Sequence, residues 1–93
     1  MITAFVMINV DAASIPEAAQ EISELDGVSE VYSIAGADWD LIAVVRVRQY
    51  EDLAEVIPNR ISKAAGVLST ITHPAFRSFS RHDLDAAFSL GLE

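Results

Sequence analysis

The segment Gly36–Asp40 carries residue types that could bind a small zwitterion. Gly36 allows a positive φ and exposes backbone N–H groups, which can hold a carboxylate. Asp38 or Asp40 could bind an ammonium group through a charge-assisted hydrogen bond. A free amino acid carries both charges, so the turn is a candidate site for one. Structural roles are the alternative, because a turn Asp often bonds its own backbone and Trp39 could be only an interface anchor.

A second pattern of polar side chains lies in the segment Ser69–His73. The hydroxyls of Thr70 and Thr72 alternate along a predicted strand, where they could bond the carboxylate of a polar ligand. Exposed Thr is also simply a good strand former. His73 could be an acid, a base or a metal ligand, but one His without a second ligand nearby is a poor metal signal.

Catalytic motifs are weak in this sequence. It has no Gly-rich phosphate loop, nucleophile elbow or metal-binding His pair. Asp38 and Asp40 could do acid–base work, but nothing in their spacing makes them share a proton. The absence of cysteine excludes thiol catalysis, disulfides and zinc–thiolate sites. We therefore assign no catalytic residue, no metal and no cofactor.

Composition limits the partners that the chain can have. Its 93 residues suffice for one domain, and 6 basic against 14 acidic residues give a net charge of −8. Direct binding to nucleic acid is disfavoured, because it requires clustered Lys and Arg. No apolar run has the length of a membrane span, and the N-terminus lacks a signal-peptide pattern. These features predict a cytoplasmic globular domain, and the 52% hydrophobic content predicts self-association.

Hydrophobic periodicity divides the chain into four strands and two helices. The strands are predicted at residues 2–10, 28–35, 41–48 and 68–79, and the helices at about 15–25 and 50–65. Ser14 and Glu17 have the spacing of a capping box at the start of the first helix. Pro58 predicts a kink in the second helix. Pro74 favours an edge position or a bulge for the last strand.

An internal repeat indicates how these elements are arranged. The pattern Ile-Ser-x-x-x-Gly-Val at Ile22–Val28 recurs at Ile61–Val67. Two strand–helix–strand units in tandem predict an α+β, ferredoxin-like βαββαβ fold with both helices on one face of an antiparallel sheet. Right-handed crossovers are expected to place the first and third strands in the centre, parallel to each other. Gly27 and Gly66 are expected to adopt left-handed conformations after the helices.

The domain is predicted to comprise residues 1–80, followed by a C-terminal tail at residues 81–93. Apolar residues at helical spacing in this tail could form a short amphipathic helix. They are Leu84, Ala87 and Phe88.

The sheet face opposite the helices is also apolar. Its residues on the central strands are predicted to be Phe5, Met7, Ile42 and Val44, with an aromatic such as Tyr32 beside them. Burial of about 400 Å² of this surface per chain would contribute about 10 kcal/mol before the costs of association. We therefore predict a homodimer of facing sheets, a dimeric α+β barrel. The alternative is a monomeric two-layer domain whose outer sheet face is exposed to solvent.

The order of these motifs resembles the ligand-binding domain of the Lrp/AsnC family of transcription regulators, also called the regulation-of-amino-acid-metabolism (RAM) domain. The resemblance runs from about Ala4 to Phe79. Its most specific parts are Gly27-Val28, the turn from Ile34 to Leu41, and Gly66-Val67 followed by Thr70 and Thr72.

The resemblance implies a module that senses an effector and assembles with other copies. Members of the family dimerise through facing sheets, and the dimers form rings with small effectors, typically amino acids, bound between dimers. By position, the ligand-binding residues would be Gly36, Asp38, Trp39, Asp40, Thr70 and Thr72.

Two departures from the family pattern bear on function. Members usually carry an N-terminal helix-turn-helix, whereas here the first strand begins at Ile2, so the resemblance is to the stand-alone form. Such a form would act by sensing a ligand or by joining a DNA-binding relative in a mixed oligomer. The spacing of Gly36 to Asp38 and to Asp40 also differs from the usual turn, which affects the geometry of the pocket.

Two other hypotheses stay open at the level of sequence. The same dimeric barrel hosts small monooxygenases and isomerases, and Asn9, Trp39 and His73 are a possible polar set for such an enzyme. That hypothesis requires Asn9 and His73 to converge on one cavity. The other hypothesis is a structural assembly part that binds no ligand.

Overall fold

A computed structural model of the chain describes residues 1–79 and residue 81. Four strands form one sheet in the order β2-β3-β1-β4, which confirms the predicted ferredoxin-like α+β fold. The strands are β1 (Ile2–Val10), β2 (Val28–Ser33), β3 (Leu41–Val47) and β4 (Val67–Pro74), and the helices are α1 (Ile15–Ser23) and α2 (Asp52–Val56). Among these residues, no helix combines the length and the apolar content that a bilayer crossing needs. The tail helix predicted around residues 84–88 lies outside the described residues.

β1 and β3 occupy the centre of the sheet, but the prediction that they are parallel is wrong. They pair antiparallel, with Ile2 opposite Val47 and Ile8 opposite Leu41. The reason is topological. The crossover through α1 makes β1 and β2 parallel and leaves one strand position between them, and β3 turns back from β2 into that position.

The core lies between the sheet and the helices. Alternate residues of β1 and β3 point into it, as their periodicity predicted. The fully buried members are Ala4, Val6, Ile8, Ile22, Leu41, Ala43, Val45 and Ile61. Ile2 and Val47, at the end of the sheet, also face the helices, and they are partly and almost fully buried, respectively.

The start of α1 differs from the prediction, because no capping box forms. A 3₁₀ turn (Ala12–Ser14) precedes the helix, and the Ser14 N–H donates to the Asp11 carbonyl oxygen at 2.8 Å. Ser14 therefore has φ −109° and ψ 5° rather than the extended conformation of an N-cap. Its hydroxyl lies 3.4 Å from Asp11 Oδ2, to which it donates.

The second helix is shorter and less regular than predicted. α2 ends at Val56 and continues as a π-helical turn (Ile57–Ile61) that contains Pro58. Pro58 has no N–H to donate within the helix, and the Ser62 N–H donates to the carbonyl oxygen of Ile57, five residues back, at 2.9 Å. The predicted kink thus takes the form of a wider helical turn.

The last strand also ends earlier than predicted, at Pro74 rather than Phe79. β4 pairs with β1, and the Ala75 N–H makes a final bond to the Thr3 carbonyl oxygen at 2.8 Å. Because β1 begins at Ile2, the described residues after Ala75 continue no pairing with it. We call residues 75–79 the arm.

Gly27→Ala is expected to lower the free energy of unfolding by about 2–3 kcal/mol. Gly27 has a φ of 93°, and a Cβ there would lie 2.6 Å from Val56 Cγ2. Both the backbone strain and the clash contribute. Urea unfolding separates the strain from the clash when it is applied to four proteins. They are the wild type, Gly27→Ala, Val56→Ala and the double variant. The cost of Gly27→Ala should fall to about 1 kcal/mol when the Val56 methyl groups are absent. An equal cost in both backgrounds would contradict the clash.

Candidate functional site

The Gly36–Asp40 turn joins β2 to β3 and is held by hydrogen bonds at its base. The Ile34 N–H donates to the Asp40 carbonyl oxygen, and the Asp40 N–H donates to the Ile8 carbonyl oxygen, both at 3.0 Å. The Asp40 carboxylate also accepts the Val10 N–H at 2.9 Å through Oδ2. Asp40 therefore ties the turn to the end of β1, which is a structural role.

The top of the turn is open. Gly36, Ala37 and Asp38 are exposed, whereas Trp39 is half-buried. Gly36 has a φ of 159°, close to extended backbone, and a Cβ there would meet nothing within 4 Å. Within the described part of the chain, the Asp38 carboxylate makes no hydrogen bond or ion pair. Asp38 is thus the carboxylate of the turn that stays available to a ligand.

The hydroxyl pair of β4 lies on the helix-bearing face of the sheet. Thr70 is opposite Ile8 and Thr72 is opposite Val6, and directly opposed residues share a face. Both Thr side chains are half-buried. β4 is an edge strand, as Pro74 predicted.

The outer edge of β4 also offers backbone hydrogen-bonding groups. Because Ala75 bonds to Thr3, every second residue of β4 bonds to β1, and the residues between point their N–H and C=O outward. Thr70 and Thr72 are two of the outward residues. A ligand at this edge would meet a hydroxyl, an N–H and a carbonyl oxygen from each of them.

The turn and the Thr pair lie on opposite sides of β1. Leu41 and Thr70 both pair with Ile8, so their backbones are about 10 Å apart, two strand spacings. No hydrogen bond within residues 1–79 joins the turn to β4. Thr72 lines a 370 Å³ groove with Leu53 of α2 and residues of the helical turn after it. One chain thus brings the predicted ligand residues near the same end of the sheet without closing one pocket around them.

The open face is the sheet face opposite the helices. Its centre consists of Phe5, Met7, Tyr32, Ile42, Val44 and Ile71. The four residues predicted for a dimer interface therefore lie on one surface. Ile71, which is 46% exposed, was missed, although its alternation with Thr70 and Thr72 could have revealed it. Val44 is only 6% exposed within the single chain and adds little area for a partner.

A polar group of three side chains borders this face. The Tyr32 hydroxyl donates to Glu30 Oε2, and Arg46 Nη1 lies 3.7 Å from Glu30 Oε1. The hydrogen bond from Tyr32 and the negative charge of Glu30 raise the pKa of Tyr32 above 10, while the Arg46 charge acts in the opposite direction.

Glu30→Ala is expected to lower the pKa of Tyr32, because both causes that raise it most come from Glu30. The tyrosinate absorbance should be titrated in a Tyr50→Phe background, since Tyr32 and Tyr50 are the two tyrosines of the chain. A raised folded-state pKa means that Tyr32 stabilises the fold below its unfolded pKa and that this contribution is lost as pH rises through the folded value. A Tyr32 pKa that is the same with and without Glu30→Ala would contradict the hydrogen bond between Tyr32 and Glu30.

The polar residues of the enzyme hypothesis, Asn9 and His73, do not meet in one cavity within the single chain. Asn9 pairs with Ser69, to which its Nδ2 donates at 3.3 Å, whereas His73 pairs with Phe5. Ser69 and His73 lie four positions apart along β4, a distance of about 13 Å. The condition on which that hypothesis depended is therefore not met by these residues.

The family of this chain follows from its match to a protein-family model. The model of the Lrp/AsnC ligand-binding domain matches residues 3–84. The chain belongs to the Lrp/AsnC family. The matched Lrp/AsnC region begins one residue after the start of β1 and contains both helices, the Gly36–Asp40 turn and the Thr pair of β4, which confirms the resemblance seen in the sequence.

Several Lrp/AsnC-type relatives resemble the chain in sequence and structure. An uncharacterized HTH-type transcriptional regulator from Pyrococcus horikoshii is 34% identical over 77 residues, which are 80% of this chain and 51% of that protein. The chain thus spans about half the length of the curated relatives it matches. A crystal structure from Thermus thermophilus has a TM-score of 0.80 and 41% identity over 87% of this chain and 100% of that one. E. coli AsnC has a TM-score of 0.78 and 26% identity over 86% of this chain and 54% of its own.

These Lrp/AsnC likenesses support a regulatory, effector-binding role. The curated relatives are named as transcriptional regulators, and the matched domain is described as ligand-binding.

Proposed function

We propose that this domain senses a free amino acid at the seam between two dimers and that binding changes how the dimers assemble. The proposal rests on the observation that the candidate ligand residues form two separate parts of a site. The Gly36–Asp40 turn and the Thr70–Thr72 edge lie on either side of β1 and are each open to solvent on one side. An incomplete site on one chain becomes complete when a second chain adds the missing half.

The chemistry of the two halves suits an amino acid. At the turn, the available carboxylate of Asp38 would pair with the ligand ammonium. At the β4 edge, the hydroxyls and outward N–H groups of Thr70 and Thr72 would donate to the ligand carboxylate. The half-buried Trp39 offers an apolar surface for the ligand side chain.

The dimer in this proposal forms through the open face. Phe5, Tyr32 and Ile71 expose 39%, 50% and 46% of their surface in the single chain, and no described element covers them. Facing sheets would bury this patch. The two-fold symmetry of the dimer then places two turns and two β4 edges on its outside, ready to meet a second dimer.

Regulation follows from linkage between ligand and assembly. A ligand that binds only at a completed seam stabilises the assembly containing that seam. The net charge of −8 disfavours phosphate contact, so the effect on transcription would pass through assembly with a DNA-binding relative of the same family. The domain itself would act in the cytoplasm without catalysis.

Calorimetric titration of the purified chain with each of the twenty amino acids, paired with light scattering, tests the proposal. We expect one or a few amino acids to bind and to change the mass of the assembly at the same concentration. Binding by none of them would refute amino-acid sensing. Binding with no change in mass would refute the seam while leaving a ligand site in place.

A further inference from the structure

The arm that follows β4 exposes more aromatic surface than the open face does. Phe76 is 108% exposed and Phe79 is 78% exposed, so Phe76 gains no cover from its own chain. With about 200 Å² for a fully exposed aromatic side chain, these two residues present about 370 Å². Phe5 and Tyr32 on the open face together present about 180 Å². Such a segment, placed past the last hydrogen bond of the sheet, needs a surface to pack on.

A groove for such a segment lies at the base of the arm. Its volume is 710 Å³, and it is lined by residues 1–3 and Phe5 at the start of the chain, by Arg46 of β3 and by residues 75–78 of the arm itself. Thr3, Phe5 and Arg46 belong to the open face and its border, so the groove is continuous with the surface through which the proposed dimer forms. Aromatic rings fit beside guanidinium groups, as the 5.6 Å distance from Arg77 Cζ to the Phe79 ring centre already shows within the arm.

We propose that the arm crosses to a second copy of this chain and places Phe76 and Phe79 in that copy's groove. This inference rests on the dimer of the proposed function. A stable dimer buries about 800 Å² per partner, counting polar and apolar surface together. The two phenylalanines of the arm would add about 370 Å² to what the open face buries. Because arm and groove are adjacent on each copy, one two-fold axis seats both arms in both grooves.

Paired substitutions test the contribution of the arm. Sedimentation equilibrium compares the wild type with the double variant Phe76→Ser and Phe79→Ser, and with Tyr50→Ser as a control. Tyr50 is 65% exposed and lines the groove beside α2 instead. We expect the double variant to raise the dimer Kd at least about 100-fold and the control to change it less than about 2-fold. All three are expected to keep the same circular dichroism, since the substituted side chains are exposed.

Cross-linking tests where the arm goes. The chain has no cysteine, so Thr3→Cys and Arg77→Cys can be made on differently tagged copies that are then mixed. A short bis-maleimide should join the two unlike copies, whereas Tyr50→Cys mixed with Arg77→Cys should give no such product. Equal yields of the two products would overturn the proposal.

The outcomes separate this inference from the proposed function. A wild-type chain that stays monomeric at high concentration would overturn both. A wild-type dimer whose Kd the double variant leaves unchanged would overturn the arm exchange alone. A double variant that melts at a lower temperature but dimerises normally would place the arm within its own chain and would also overturn the exchange.

Discussion

Phe5→Glu is expected to dissociate the proposed dimer, raising its Kd at least about 1,000-fold. Phe5 lies on the open face between Val44 of β3 and His73 of β4, so facing sheets would bury it. A glutamate there would lose its hydration on both copies at once, and each buried charge costs several kcal/mol. In the single chain the residue is 39% exposed, so the fold should tolerate the substitution.

The matched control for this variant is Tyr50→Glu, which makes the same kind of change on the helix side of the molecule. Tyr50 lines the groove beside α2. Sedimentation velocity at micromolar concentration should show the control as a dimer and Phe5→Glu as a monomer with an unchanged melting temperature. A Phe5→Glu chain that still sediments as a dimer would show that the open face is not the interface.

Asp38→Ala is expected to weaken amino-acid binding at least about 10-fold without changing stability. The carboxylate of Asp38 is exposed and has no partner within residues 1–79, so its removal costs the fold nothing. In the proposed site it would pair with the ligand ammonium, and a charged hydrogen bond of that kind contributes about 1.5–3 kcal/mol. Calorimetry with the amino acid that binds the wild type measures the loss.

Asp40→Ala should behave in the opposite way. Its carboxylate accepts the Val10 N–H at 2.9 Å in a partly buried position, so its loss leaves that N–H without its partner. We expect the free energy of unfolding to fall by about 1–3 kcal/mol. Asp26→Ala, a change of an exposed Asp elsewhere, serves as control for both variants. Loss of stability with Asp38→Ala, or none with Asp40→Ala, would reverse the two roles.

The core of the fold could be predicted because alternation leaves little freedom. Ala4, Val6 and Ile8 share one side of β1, and the same period on β3 places Leu41 and Ala43 beside them. The direction of β3 was predicted wrongly because the crossover rule was applied to β1 and β3, whereas the crossover through α1 joins β1 to β2 and β3 follows β2 through a turn. The early end of β4 has a related cause. It depends on where β1 begins, a fact about a distant segment.

The candidate site could be predicted only in part. Residue types singled out Asp38 and Asp40 together, but only the hydrogen bond to Val10 distinguishes the structural Asp from the available one. Similarly, spacing placed Thr70 and Thr72 on one strand and could not show that their backbone groups point outward. That result depends on the register with β1, which a single sequence does not contain.

The anchoring of the Gly36–Asp40 turn has a consequence for how new specificities arise. Ile34 and Asp40 clamp its two ends, with Ile8 and Val10 as the fixed points on β1. Of the five positions between them, Gly36, Ala37 and Asp38 are exposed and take no part in these hydrogen bonds. In the proposed site, mutations at these positions would change which ligand the loop binds while the scaffold keeps its shape, so exchange of a tripeptide would be enough to adapt the domain to a different metabolite.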